Sequence, residues 1–431
     1  MKSKFLYLIF LLLMCSSNSF SQLRIEITGG TEEPIRIAVV PLSWNITGKP
    51  KFYFQEVIKN DLESFGEFFV MNPEDMLSLP AHDDQLYFRD WKLLDIDYLV
   101  TGVVNESSEY EEINISYSIF NVNREKIIHR AVLSGSLGSL RRMGHNISDK
   151  IYEKINGIPG IFSTRIAYIN KISEPKDSYH LRITDIDGDN DISLFNSPEP
   201  LLSPSWSPSG DRIAYVSFEE GSSRIYIQEL ASGVRKPLKH EEGINSSPNW
   251  SPKNRFISAV LSKNGNPDIF LYDLKKDEWE QMTYHHGIDT EPDWSPDGKS
   301  ILFTSNRSGS PQIYEMNIST KKVKRRTFNG SYNARGRYLP NGKSIVYVHR
   351  DDGVFHIAIQ SLKSGRISIL TDTVLDESPS VSPNGNVIVY ATKLGEKGLL
   401  AGITIDGKTR FMLPSFFGET REPSWSPILD K

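Results

Sequence analysis

The sequence predicts a small α/β domain followed by an all-β, six-bladed β-propeller that closes by pairing its C-terminal strand with its first blade. Three observations predict it: a phrase that recurs at a near-constant interval, a first copy that lacks the phrase, and a last copy that contains little else. Aligned on the phrase, the copies read SPSWSPSG around Trp206, SPNWSPKN around Trp250, EPDWSPDG around Trp294, RGRYLPNG around Tyr338, SPSVSPNG around Val381 and EPSWSPIL around Trp425. Successive copies are 44, 44, 44, 43 and 44 residues apart, the length of one four-stranded blade.

Each element of a copy follows from its residues. A short first strand ends in Ser-Pro-x-Gly, where Pro presets φ at the second turn position and Gly accepts the positive φ that closes the hairpin. Period-two alternation follows, as in Ile301-Leu302-Phe303-Thr304, then a third run over Gln312–Asn317 and a fourth around residues 325–328. Upstream of the first phrase, RIAYI at 165–169 matches RIAYV at 212–216, yet no Trp-Ser-Pro precedes it. Trp425-Ser426-Pro427, in contrast, has no blade after it. Joining the two ends gives a composite blade and a ring without free edges. The repeated aromatic then belongs between blades, as architecture.

The segments ahead of the ring have a different texture. Residues 1–21 read as a signal peptide: Lys2 and Lys4, an apolar run over 5–14, then Ser19-Phe20-Ser21, with cleavage before Gln22. Cys15, the only cysteine, falls inside this leader, and Met14 stands where a lipoprotein signal needs a small residue. The processed chain therefore has no disulfide, thiol nucleophile or Cys-ligated zinc, and an exported protein of that kind fits a bacterial periplasm. Residues 22–160 form the α/β domain, with buried strands at 36–42 and 98–104, a helix at 54–65, and a hairpin of 113–122 with 126–134 about Asn123. A terminal helix over 141–155 stops at Asn156-Gly157 and Pro159. Residues 161–431 are the propeller.

Composition excludes some functions. With 38% hydrophobic and 24% charged residues the chain is of ordinary water-soluble composition, and no stretch after the leader approaches the ~20 apolar residues of a spanning helix. A net charge of -5 with dispersed Lys and Arg argues against nucleic acid. The one basic run, Lys321-Lys322-Lys324-Arg325-Arg326, reads as a solvated hairpin edge, Glu106, Glu109, Glu111 and Glu112 as a solvated loop, and His285-His286 as a surface pair. No Gly-x-Ser-x-Gly elbow or phosphate-cradling glycine loop occurs. Carboxylates do gather: Asp289, Glu291 and Asp293, then Asp376 and Glu377, then Glu419 and Glu422 precede or enter three innermost strands, hence one mouth of the channel. There they attract a basic partner, hold a hard cation such as calcium, or simply solubilise the loops.

Six phrases in order carry a family resemblance: LRIEITGG from Leu23, IRIAVVPLSW from Ile35, DYLVTGVV from Asp97, RRMGHNISDKIYEKINGIPGIFSTRIAYI from Arg141, LLSPSWSPSGDRIAYVSFEEG from Leu201, and DTEPDWSP from Asp289. They resemble the TolB family, periplasmic propeller proteins of the Tol–Pal system, over essentially the whole chain after the leader. The resemblance implies a non-enzymatic adaptor without a required cofactor. It implies that the lipoprotein Pal binds at the propeller mouth, and that the C-terminal domain of TolA binds the processed N-terminus, in support of outer-membrane integrity and constriction at division. Carried onto this sequence, the Pal-facing candidates are Thr290, Glu291, Asp376, Glu377 and Glu422. The TolA-facing candidates are Leu23, Arg24, Ile25, Glu26 and Ile27, whose alternation suits addition as a strand to a sheet edge. The alternative reading is a propeller enzyme, such as a metal-dependent lyase or hydrolase, whose channel would carry His or carboxylate clusters.

Overall fold

A computed structural model describes residues 24–27, 33–46, 54–108, 112–173, 175–413 and 418–429. The leader with Cys15, and Leu23, Glu109 and Glu111, lie outside the described residues.

The α/β domain is built on one mixed sheet in the order Phe68–Met71, Ile35–Val39, Tyr98–Glu106, Glu112–Asn121, Lys126–Ser136, with Ser43–Asn45 also pairing Tyr98–Glu106. Its first three strands run parallel and the last two form the antiparallel hairpin. Helix α1 (Phe54–Glu63) buries Phe54, Val57, Ile58, Asp61 and Leu62, the 3.6-residue stripe of an amphipathic helix. A short α2 (Phe88–Leu93) buries Trp91. Helix α3 (Leu140–Asn156) buries Leu140, Met143, Ile147, Ile151 and Tyr152 along one face, and Gly157 ends it at φ 75°, a conformation glycine adopts without a Cβ penalty.

Six antiparallel blade sheets follow, five of four strands and the last of five, and the composition of each blade explains the repeated phrase. The Trp of one blade packs on the preceding blade: Trp206 lies with Ala167, Ile169 and Leu181, and Trp250 with Ala214, Val216 and Ile227. Its indole N–H donates across the same seam, Trp206 to Ser424 O at 3.0 Å, Trp250 to Ser205 O at 3.2 Å and Trp294 to Asn249 O at 3.3 Å. The following Ser accepts the N–H that starts the second strand, as Ser207 Oγ does from Arg212 N at 3.0 Å and Ser295 Oγ from Ser300 N at 2.9 Å. The turn closes at Gly210, Gly298, Gly342 and Gly385, all at positive φ; in the SPKN copy Asn254 takes that place at φ 57°, as the side chain that best tolerates it.

The C-terminal strand Glu419–Trp425 pairs antiparallel with Arg165–Ile172, from Glu419 opposite Lys171 to Trp425 opposite Ile166. Ser426 extends the seal, its N–H donating to Arg165 O at 2.8 Å and its Oγ accepting Arg165 N at 2.9 Å. The ring is closed by main-chain bonds between segments some 260 residues apart, with six blades as the repeat count requires.

The α/β domain sits against the turn that follows the innermost strand of the last blade and the turn after Ser178–Asp185 in the first. Asn384 Nδ2 donates to Pro159 O at 2.9 Å, Asn386 Nδ2 to Tyr152 Oη at 3.3 Å, and Phe65 stacks on Phe162 at 5.4 Å and meets Phe411 at 5.7 Å. One continuous apolar core therefore joins the two parts, from Ile37 and Phe54 to Val387, Leu400 and Trp425.

Candidate protein-binding mouth and tail

Every innermost strand carries a β-bulge in the same place, three residues before the repeated aromatic. The residues there are Ser203, Ser247, Glu291, Arg335, Ser378 and Glu422, and all six lie at φ between 49° and 56°. Left-handed backbone at a non-glycine residue costs about 1–2 kcal/mol, so the ring holds this geometry against its local preference. A bulge re-aims a side chain, and here it turns one per blade into the channel, a cavity of about 330 Å³ lined by these residues.

The channel charges are internally paired. Arg335 Nε lies 2.9 Å from Glu291 Oε1, Arg335 Nη2 lies 3.6 Å from Glu422 Oε1, and Nη1 donates to Ser378 Oγ. Each Glu also reaches the equivalent residue of the next blade: Glu291 Oε2 accepts Arg335 N at 2.9 Å, and Glu422 Oε2 accepts Ser203 N. Burial by itself would lower the Arg335 guanidinium's affinity for its proton, but Glu291, Glu422 and Glu377 raise it, so it stays charged. Between Glu291 and Glu422 stands an arginine of the ring itself, a residue that the copy's departure from Ser or Glu at this position could have signalled.

Two further acids are struts. Asp289 is fully buried in a bidentate pair with Arg307 Nη2 at 2.9 and 2.7 Å. Asp293 accepts Tyr338 N at 2.9 Å, and its burial raises its pKa against the pull of Arg337. Asp376 is also fully buried, accepting the Thr392 hydroxyl at 2.7 Å, and presents no surface to a partner; its role is to hold the loop that carries Glu377. Thr290 and Glu377 are half-buried, and Glu377 shares a groove between the last and first blades with Lys393, Glu419 and Arg421.

The rim carries a feature that the sequence reading passed over. Ile244 and Ile288 are each 47% exposed, six residues before Trp250 and Trp294, and Phe328 and Val374 are 69% and 80% exposed on the loops ahead of the next two innermost strands. An apolar residue in an otherwise polar turn at a repeated offset was the available signal. This rim lies where the innermost strands begin, whereas the α/β domain packs on turns at the other end of the blades. Elsewhere, the basic run does form an outer edge, with Lys321 on Glu280 at 3.0 Å and Arg326 on Glu315, and the rings of His285 and His286 lie 4.1 Å apart in a loop.

The tail is paired within the chain. Arg24–Ile27 runs antiparallel along Thr409–Met412 as a fifth, outermost strand of the last blade, Arg24 opposite Met412 and Ile27 opposite Thr409. The sheet edge that this segment occupies is one of its own chain.

Comparison with known proteins follows the same division. Residues 23–128 match the TolB amino-terminal domain family and residues 152–429 the TolB beta propeller domain family. A Tol-Pal system protein TolB of Pseudomonas syringae pv. syringae is 53% identical over 416 residues, 96% of either chain, and one of Nitrosococcus oceani is 52% identical over 419 residues with the same shares. The crystal structure of TolB from Acinetobacter baumannii superposes with a TM-score of 0.85 at 39% identity, covering 94% of this chain and 100% of that one. With both halves matched and relatives similar along nearly their full length, the chain belongs to the TolB family.

Proposed function

We propose that this chain is a periplasmic, non-enzymatic scaffold of the Tol–Pal system. It takes Pal at the propeller mouth and the C-terminal domain of TolA through its processed N-terminus, in support of outer-membrane integrity and constriction at division. The observation that carries the reading is the mouth: an open face, opposite the α/β domain, rimmed by exposed Ile244, Ile288, Phe328 and Val374 with Glu377 and Glu419 beside them. Apolar anchors bordered by charge are the composition of a protein interface, not of a solvated loop. Glu291 and Glu422 line the way inward, with half-buried Thr290 next to Glu291 in the strand, and the Glu291–Arg335–Glu422 ladder offers alternating charge to a partner's loop. Asp376 acts from behind.

For the tail, Arg24–Ile27 already has strand geometry, and its present neighbour is an ordinary sheet edge. A partner offering another edge competes for the same main-chain groups. Titration of the processed chain with soluble Pal tests the mouth. Ile288→Asp combined with Glu377→Lys weakens binding at least about tenfold, as loss of a rim anchor does, while removal of residues 22–33 abolishes TolA capture and spares Pal. An unchanged Pal affinity in the folded double variant removes the mouth assignment.

A further inference from the structure

Beneath the first blade, where the α/β domain meets the propeller, lies a buried polar cluster that neither the mouth nor the tail uses. Helix α1 contributes Asp61 and α3 contributes His145, exposed by only 2% and 1%. The turn after Ser178–Asp185 contributes Asp185 and Asp187, held tight by Asp185 N donating to Asp189 O at 2.9 Å and by positive φ at Gly188 and Asn190. One ligand atom from each of Asp61, His145 and Asp187 lies within 4.8 Å of the others.

The imidazole is oriented for coordination. Its Nδ1 faces the Asp61 carboxylate at 2.8 and 3.0 Å, and since a carboxylate only accepts, Nδ1 carries the proton. Nε2 points into the cluster and has no hydrogen-bond partner, although it is buried; Asp187 Oδ2 and Asp185 Oδ2 stand 3.8 and 4.0 Å away. Those gaps exceed a hydrogen bond and are wider by about 0.4 and 0.6 Å than the ~3.4 Å between ligands held around one ion by tetrahedral bonds of about 2.1 Å. A carboxylate behind a histidine ligand is the usual outer support of a metal-binding imidazole. Among the described residues the cationic groups facing Asp61, Asp185, Asp187 and Asp189 are Arg141, which bonds Asp187 and Asp189, Arg165, which lies 3.2 Å from Asp185, and His145 itself when it carries two protons. With the imidazole neutral, four carboxylates against two arginines leave an excess of two negative charges, which a divalent cation cancels. One nitrogen with carboxylate oxygens suits a zinc-class ion rather than calcium, which prefers oxygen alone.

We propose that His145, Asp185 and Asp187, with Asp61 behind the histidine, bind a divalent transition cation that clasps the α/β domain to the first blade. The competing occupant is a second proton on Nε2, for which, among the described residues, the facing carboxylates of Asp187 and Asp185 stand beyond hydrogen-bonding reach.

The test uses the processed chain carrying His285→Ala and His286→Ala, which removes the exposed histidine pair. It is freed of metal with a chelator and titrated calorimetrically with Zn²⁺ alone. One equivalent binds and raises the melting temperature. Asp61→Asn weakens it about 10- to 100-fold, the usual effect of losing an outer-shell partner, and His145→Gln or Asp187→Asn removes it. Asp187 lies in a turn, so its variant serves if the His145 variant does not fold. The proposal is overturned if the chelated chain takes up no stoichiometric zinc, or if the bound equivalent survives His145→Gln and Asp187→Asn.

Discussion

At the scale of single residues, the junction between the two parts depends on one glycine and one carboxylate. A Cβ at Gly160 would stand 2.3 Å from Asp149 Cα and 2.8 Å from its carbonyl oxygen, so the linker crosses α3 with no room for a side chain. Gly160→Ala must push the linker off the helix and costs about 1–3 kcal/mol, measurable by urea unfolding. Asp149 itself accepts Phe162 N at 2.6 Å and Ser163 N at 3.2 Å. Burial pushes its carboxyl from 3.8 up to about 6, against the pull of those bonds. Because the folded pKa is the higher one, the unfolded chain releases this proton first as pH rises. The contribution is therefore whole below pH 3.8 and lost through pH 6, up to about 3 kcal/mol. The stability of the wild type minus that of Asp149→Asn should fall with rising pH across that window; a difference independent of pH contradicts it.

At the scale of elements, the repeated phrase divides its labour among residues. Trp latches one blade to the preceding one, Ser pins the next strand, and Pro with Gly or Asn turns the chain. Trp250→Phe keeps most of the apolar contact with Ala214, Val216 and Ile227 but strands the Ser205 carbonyl in the seam. The expected loss is about 1–3 kcal/mol by denaturant unfolding, with the six-bladed fold intact by circular dichroism. This level was the most legible in the sequence, because turn chemistry and alternation are local and were repeated. The helices at 54–65 and 141–155 were legible for the same reason and differ from α1 and α3 by a residue or two at their ends. The strands Ser43–Asn45 and Phe68–Met71 were not: they are short and take their order from neighbours distant in sequence.

At the scale of the whole molecule, ring closure was readable because two incomplete copies at the ends complement each other. The candidate site was readable only in outline. That acids enter three innermost strands is a sequence fact, but whether each faces solvent, a partner or an arginine depends on residues tens of positions away, as with Asp289 and Arg307 or Glu422 and Arg335. Asp376 looks like Glu377 on paper and differs from it only by burial. The tail's partner was equally hidden, since any open sheet edge accepts an alternating strand, and the edge it occupies is Thr409–Met412 of its own last blade. If Arg24–Ile27 is the TolA-binding segment, engagement must first strip it from that edge. Hydrogen exchange on the processed chain, with and without the TolA C-terminal domain, measures this directly. The account predicts that amides of Thr409–Met412 lose protection when TolA is added while those of Arg24–Ile27 stay protected. TolA binding at saturation with protection at Thr409–Met412 unchanged would contradict it.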